Sequence, residues 1–345
     1  MAESLIYVHD SEPGIRRRRS GRGFTYLLPD GGRVTARAEL ERVRGLAIPP
    51  AWTEVWICRD PLGHLQATGR DAKNRKQYIY HPEYRRARDE AKFHHLLDFG
   101  RVLPRVREAV NRDLSLPDLP RRKVLATIVH LLQTTLIRIG NEDYARQNGS
   151  YGLTTLRNAH VEVEKSILRF NFKGKSGKAW SLRVTDRRIA AIVRSCQELP
   201  GQALFQYLDE GGDPHDVTST DVNAYLREIV GSGITAKDFR TWAATVMMVD
   251  MLSREPPPGG VTRGRRVVGT AMKQVGKRLG NTVAVCRRCY VHPGIPELYL
   301  AGRFGRRRGN AADLSPEEAA TLTLLRRWRR EKALSPAGTD DTDGH

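Results

Sequence analysis

Lys277 to Tyr290 reads KRLGNTVAVCRRCY. Two helices fit around it, Val267 to Leu279 and Thr282 to Tyr290, and they deliver a tyrosine into a basic setting nine residues after the hydrogen-bonding Asn281. A phenol has an ordinary pKa near ~10, so only about a thousandth is ionised at pH 7. A tyrosine that attacks must therefore be helped by cations or hydrogen bonds. Three cations stand far upstream in distinctive contexts: Arg138 in LIRIGNEDYARQNGSYGLTTL, Lys175 in the turn of FNFKGKSGK, and Arg240 in ITAKDFRTWAATV. Phosphodiester cleavage loads negative charge onto two non-bridging oxygens. Planar guanidinium groups suit that load because each can donate two parallel hydrogen bonds. The expelled sugar oxygen needs a proton, which a lysine can supply.

Composition points the same way. The chain has 345 residues, enough for two domains and a substantial core, and a net charge of +19. That excess favours a polyanionic partner. No apolar run approaches membrane-spanning length, no signal peptide opens the chain, and no basic amphipathic helix dominates, so the expected setting is cytoplasmic. The 46 arginines against 12 lysines suggest a GC-rich bacterial genome. Of the four cysteines, Cys286 and Cys289 form a CxxC pair, but no second pair follows to complete a zinc site. Gly174-Lys175-Ser176 imitates the end of a phosphate-binding loop, yet Arg169 stands where the earlier glycine is required. No metal, nucleotide or other cofactor is expected.

The pattern predicts an α+β fold: a β-rich antiparallel N-terminal domain over residues 1–85, a larger, mainly helical catalytic domain with a small β-sheet over 86–334, and an acidic, disordered tail over 335–345. Strands are expected at Tyr7-Val8, Phe24 to Leu28, Val34-Thr35, Glu54 to Cys58, His64 to Thr68 and Gln77 to Tyr80. A short helix fits Ala38 to Arg44. Helices then fit Tyr84 to Phe99, Arg101 to Arg112, Lys123 to Ile139, Arg187 to Gln197, Ser219 to Val230 and Ala236 to Ser253. A small sheet is expected from His160 to Glu164, Ile167 to Phe172 and Ala179 to Val184. Ser315 and Pro316 make a good helix start. The run Arg16 to Arg19 reads either as a phosphate contact or as a flexible basic loop.

With these motifs in order, the chain resembles the small type IB DNA topoisomerases of the poxviral and bacterial kind, from about Ser4 to Leu300. GIRRRRSGRGFTYLLPDGGRV and LAIPPAWTEVWICRDPLGHLQATGRDAKNRKQYIYHP carry the likeness as strongly as the catalytic segments. The resemblance implies that Tyr290 attacks the scissile phosphate and joins the DNA 3′ end, releasing a 5′ hydroxyl. Arg138 and Arg240 hold the non-bridging oxygens, Arg138 also assists proton transfer, and Lys175 is the general acid. Asn281 stands where the poxviral enzymes carry histidine. It can donate a hydrogen bond but adds no charge. The conserved bond energy makes ATP unnecessary. Supercoils of both signs would relax by swivelling of the free strand, in a monomer that clamps duplex DNA.

In GRDAKNRKQYIYHP, cations alternate with aromatics, and the resemblance places Lys73, Arg75, Gln77, Tyr78 and Tyr80 on the DNA-facing surface. On a strand, Arg75, Gln77 and Ile79 face one side and Lys76, Tyr78 and Tyr80 the other. For Tyr80 a core position is the better reading. Each catalytic candidate also has an ordinary one. Arg138 can satisfy helix-terminal carbonyls, Lys175 can be a solvated turn lysine, and Arg240 can pair with Asp238. Asn281 can cap a helix, and Tyr290 can be a core residue. Two rival functions remain. A tyrosine recombinase shares the chemistry but usually has His-x-x-Arg around the second arginine, where this chain has Lys237. A noncatalytic DNA-binding protein fits the charge alone.

Overall fold

Arg16 to Arg19 form a strand, β1 (Ile15–Ser20). Two partners hold it. β2 (Gly23–Leu27) folds back antiparallel with Arg17 opposite Tyr26, and β3 (Thr53–Ile57) pairs at its start with Ile15 opposite Ile57. Arg17 is the half-buried arginine of the four. Its guanidinium donates to the carbonyls of Ile48 and Pro49 at 2.9 Å and of Trp52 at 2.8 Å, and lies 4.1 Å from the Phe24 ring centroid. It ties the Ile48-Pro49-Pro50 loop to the sheet, while Arg16, Arg18 and Arg19 stay exposed. The run is therefore not a flexible loop.

The computed structural model describes residues 4–231, 233–305 and 313–334, with backbone alone at 89–92 and 94. The expected tail at 335–345 lies outside them. After α1 (Arg37–Gly45), β4 (Leu65–Arg70) and β5 (Lys76–Tyr80) complete an antiparallel sheet in the order β2-β1-β3-β4-β5. Its faces follow the two-residue period of a strand. Val55 and Ile57 pack with Ile15, Val43 and Ala67 on one side, and Trp56, Cys58 and Leu65 pack with Val8 on the other. Tyr7-Val8 and Val34-Thr35 are not strands. Each neighbourhood contributes one isolated bridge, Ile6 with Gly63 and Arg33 with Leu27, because two β-formers are too few to hold a ladder.

α2 (Pro82–Asp113) is one helix of 32 residues where two were expected. The apparent break, Gly100, is a packing site: a Cβ there would come within 2.5 Å of the Trp242 ring. Two compact units divide between Lys92 and Phe93, inside α2.

In the second unit α3 (Arg121–Thr135) is buried almost all round, from Val124 to Leu132, as a central helix must be. It ends at Thr135, earlier than its apolar pattern suggests, because Leu136 turns left-handed at φ 59°. α4 (Glu142–Asn148) follows. β6 (Val161–Glu164), β7 (Ile167–Lys173) and β8 (Ala179–Thr185) form the expected small antiparallel sheet, with Leu168, Phe170 and Phe172 of the central strand turned inward. Next come α5 (Arg187–Gln197) and a hairpin of β9 (Gln206–Leu208) and β10 (Pro214–Asp216). α6 (Ser219–Val230), α7 (Ala236–Ser253), α8 (Val261–Leu279), α9 (Val283–Cys289), α10 (Gly294–Leu300) and α11 (Pro316–Leu334) complete it. Ser315 caps α11 by accepting from the Glu318 N–H at 3.2 Å. The class is α+β, as the sequence predicts. Among the described residues no helix is long and apolar enough to cross a membrane, and no group of three His, Cys, Asp or Glu side chains could hold a metal ion.

Candidate active site

The site is built on α7. Its first turn is closed by Asp238, whose Oδ2 accepts from the Thr235 N–H at 2.8 Å. That carboxylate is thus a cap, not the partner of Arg240. Arg240 lies two residues on, only 3% exposed. Its guanidinium donates to the carbonyls of Leu136 and, at 2.8 Å, of Leu279. Both carbonyls are at helix C-termini, which leave such acceptors unsatisfied and carry partial negative charge. The helix-terminal role considered for Arg138 therefore belongs to Arg240, which serves α3 and α8 at once.

Tyr290 follows the last residue of α9. Its N–H donates to the Cys286 carbonyl at 3.0 Å. Its own carbonyl accepts from Thr245 Oγ1 at 3.3 Å, and the same hydroxyl accepts from the His292 N–H at 3.2 Å. Thr245 is buried on α7, five residues beyond Arg240, so one rigid helix carries both the guanidinium and the anchor of the phenol's backbone. The Arg240 Cζ lies 5.1 Å from the Tyr290 ring centroid. Burial pushes the phenol's pKa up, but the charges of Arg240 and Arg138 and their hydrogen bonds outweigh it and hold Tyr290 below the ordinary value. Arg240 is pushed down to about 10, by burial first and the Arg138 charge second. It still stays protonated at neutral pH.

Arg138 sits in the loop between α3 and α4. The Leu153 N–H donates to its carbonyl at 2.8 Å, and the Thr154 N–H and Oγ1 donate to the Ile139 carbonyl at 2.7 and 2.9 Å. The fit needs a glycine at 152, where a Cβ would come within 2.5 Å of the Arg138 carbonyl oxygen. The Arg138 Nη2 donates to Asn281 Oδ1 at 2.5 Å. Asn281 is delivered by the end of α8, where Gly280 turns left-handed at φ 68° and the Asn281 N–H donates to the Gly276 carbonyl at 2.9 Å. The cap of α9 is Thr282, accepting from the Val285 N–H at 3.3 Å, and not Asn281. Asn281 Nδ2 and Arg240 Nε are buried donors without a hydrogen-bond partner among the described residues. A site rich in donors and poor in acceptors suits an anion.

Tyr290, Arg138, Arg240 and Asn281 are thus gathered in one place. Lys175 is not in contact with them. It is exposed on the β7–β8 turn, its Nζ 5.9 Å from the Tyr144 ring centroid. The turn itself lies next to the site, since a Cβ at Gly280, beside Asn281, would meet Trp180 at 3.1 Å and Lys178 at 3.3 Å.

Residues 81–293 match the family described as eukaryotic DNA topoisomerase I, catalytic core, and residues 23–71 match the bacterial DNA topoisomerase IB N-terminal domain. A DNA topoisomerase 1B of Acanthamoeba polyphaga mimivirus is 34% identical over 293 residues, covering 83% of this chain and 87% of its own length. The chain belongs to the type IB DNA topoisomerase family. A DNA topoisomerase 1B of vaccinia virus (strain Copenhagen) is 23% identical over 306 residues, covering 83% of this chain and 90% of its own. A DNA topoisomerase 1 of Daucus carota is 32% identical over 177 residues, 48% of this chain and 21% of its own.

The DNA-contact candidates of this family member's first unit lie on and before β5. Lys73 is exposed in the turn. Arg75 and Gln77 share one partner: Asp71 Oδ2 accepts from Arg75 Nη2 at 2.6 Å and from Gln77 Nε2 at 3.0 Å. The Arg75 hydrogen bonds hold Asp71 at about 2. On the other face Lys76 pairs with Asp10 at 2.6 Å, and Tyr78, 47% exposed, stacks on Tyr80 at 6.0 Å. Tyr80 packs against the Val8, Trp56, Cys58 and Leu65 cluster, and burial pushes its phenol up. In the second unit Lys237 is exposed, three residues before Arg240 on α7. Sequence reasoning missed Thr245, Gly152 and the counter-ion Asp71. Gly152 and Thr154 do lie in the segment quoted for Arg138, so a signal for that latch was present.

Proposed function

We propose that the chain relaxes positive and negative supercoils in duplex DNA by transient cleavage of one strand. The observation that carries this reading is the Tyr290 phenol in the joint field of two buried or half-buried guanidinium groups. Tyr290 Oη attacks the scissile phosphorus, its proton passes to solvent water with Arg138 assisting, and a 3′-phosphotyrosyl bond replaces the bond to the 5′ oxygen. Arg138 and Arg240 stabilise the charge on the non-bridging oxygens as it develops. Asn281 fixes Arg138 through its Oδ1 and keeps its amide for a phosphate oxygen. Lys175 leaves the face of Tyr144 to protonate the departing 5′ oxygen. The free strand swivels, and the 5′ hydroxyl then attacks the phosphotyrosine and expels Tyr290.

The covalent bond conserves the phosphodiester energy, so the cycle uses no ATP, and two fixed guanidinium groups together with the mobile Lys175 ammonium supply the charge that a metal would bring. One chain provides every group, so the monomer is the active unit, with both units engaging the duplex as a clamp. Lys73, Arg75, Gln77, Tyr78 and Lys237 contact DNA. The match to a bacterial N-terminal domain supports a bacterial nucleoid setting. The test is to trap the adduct on a nicked-product duplex oligonucleotide and map it by peptide mass. A 3′-phosphoryl adduct on Tyr290 is expected. A 5′ adduct, or one on another residue, overturns the reading.

A further inference from the structure

Cys286 and Cys289 stand one turn apart on α9, and the chemistry above uses neither thiol. Both are reduced. Cys286 is buried, and its Sγ would lie 3.7 Å from a Cβ at Gly276 of α8. Cys289 is partly exposed. The backbone they share supports the nucleophile, since the Cys286 carbonyl accepts from the N–H groups of both Tyr290 and Val291 at 3.0 Å. Helical residues three apart hold their Cβ atoms about 5–6 Å apart, whereas a disulfide needs about 3.5–4.5 Å. Closing a bridge must therefore draw in the last turn of α9 by about 1–2 Å. That movement falls on the carbonyl that fixes Tyr290. Cys58, just after β3, and Cys196, on α5, are buried elsewhere, 3% and 0% exposed, and burial pushes the Cys196 thiol up to about 12.

We infer that Cys286 and Cys289 form a dithiol site for a peroxide, whose oxidation withdraws the nucleophile and stops strand cleavage. The inference rests on Tyr290 being that nucleophile. The Cys289 thiolate attacks one peroxide oxygen, the O–O bond breaks, and hydroxide leaves to be protonated to water. The resulting sulfenic acid is attacked by Cys286, the S–S bond forms, the S–O bond breaks, and a second water leaves. Two electrons pass from the thiol pair to the peroxide, and an added dithiol returns them by exchange. A reacting atom misplaced by 1 Å costs about 10²-fold in rate. DNA binding depends on surface cations and persists.

The experiment compares the full chain before and after hydrogen peroxide, following single-turnover cleavage of a duplex oligonucleotide, DNA affinity, and intact and peptide mass. The expected result is a product two hydrogens lighter with a mapped Cys286–Cys289 bridge. Its cleavage is slower by roughly 100-fold, its affinity is unchanged, and dithiothreitol restores the rate. Cys289→Ser keeps its rate through the same treatment. A mapped bridge with unaltered cleavage, no bridge at all, or equal loss in Cys289→Ser overturns the switch alone. Wild type that never cleaves, even when reduced, overturns the function beneath it and the switch together.

Discussion

Arg138 and Arg240 are held by neutral acceptors, an amide oxygen and two helix-terminal carbonyls, whereas Arg75 and Lys76 are held by carboxylates, Asp71 and Asp10. The first arrangement fixes position without spending charge, so both guanidinium groups keep their full field for the phosphate that the proposed function brings. Such preorganisation is what stabilises charge developing in a transition state. The second arrangement neutralises the cation, and under the proposed function DNA would displace the carboxylate. Pairs this exposed are worth about 1 kcal/mol or less, so the exchange is cheap. Under the proposed function, the contrast separates groups that must be in place before the chemistry from groups that need only follow a backbone.

The largest effect should come from Arg240→Ala. Losing one such donor costs about 10²–10³ in cleavage rate, read in single turnover. Two helix-terminal carbonyls also lose their donor, at about 1–3 kcal/mol each, which denaturant unfolding would measure. The pH profile sharpens the point. Both arginines lower the Tyr290 pKa and burial raises it. The wild-type rate should therefore rise with pH through an inflection below the ordinary phenol value of ~10, and the variant's inflection should move upward. An unmoved inflection would mean that the neutral-acceptor arrangement does not serve the phenol.

Next is Gly152→Ala. The added Cβ meets backbone at 2.5 Å, so the Arg138 loop must move, and a displacement of 1 Å costs about 10²-fold while circular dichroism stays that of the wild type. Wild-type cleavage would show that the latch does not position Arg138. Asn281→Ala frees Arg138 but removes no charge, so a loss of about tenfold is expected, smaller than for either arginine. The smallest effect tests the other side of the comparison. Asp71→Asn removes the negative charge beside Arg75, so DNA should bind more tightly and the slope of log affinity against log salt should steepen by about 1. Weaker binding would show that Asp71 orients the contact instead of screening it.

Much of this was legible where local chemistry and periodicity agreed. α5 and α6 follow the capping residues Asp186 and Thr218, α7 has its first turn closed by Asp238, and their apolar period predicts the same limits as the structure. The meeting of Tyr290 with Arg138, Arg240 and Asn281 was approachable only through the order of their motifs, since long-range placement leaves no periodic trace. The early end of α3 was hidden because a leucine, not a glycine, adopts the left-handed turn at 136. The single long α2 was hidden because Gly100 signals a break but serves the Trp242 ring. The strand at Arg16 to Arg19 was hidden because arginine carries little strand preference. Its pairing with β2 and β3, and three carbonyls waiting for Arg17, decide the matter.

The central claim is that one phenol, activated by two fixed guanidinium groups, does the strand cleavage. The direct measurement is relaxation of supercoiled plasmid in EDTA without ATP, wild type beside Tyr290→Phe, with DNA binding followed in parallel. The account predicts that wild type relaxes both positive and negative supercoils, while Tyr290→Phe binds DNA equally well and relaxes neither. An inactive wild type under these conditions, or a phenylalanine variant as active as wild type, would contradict it.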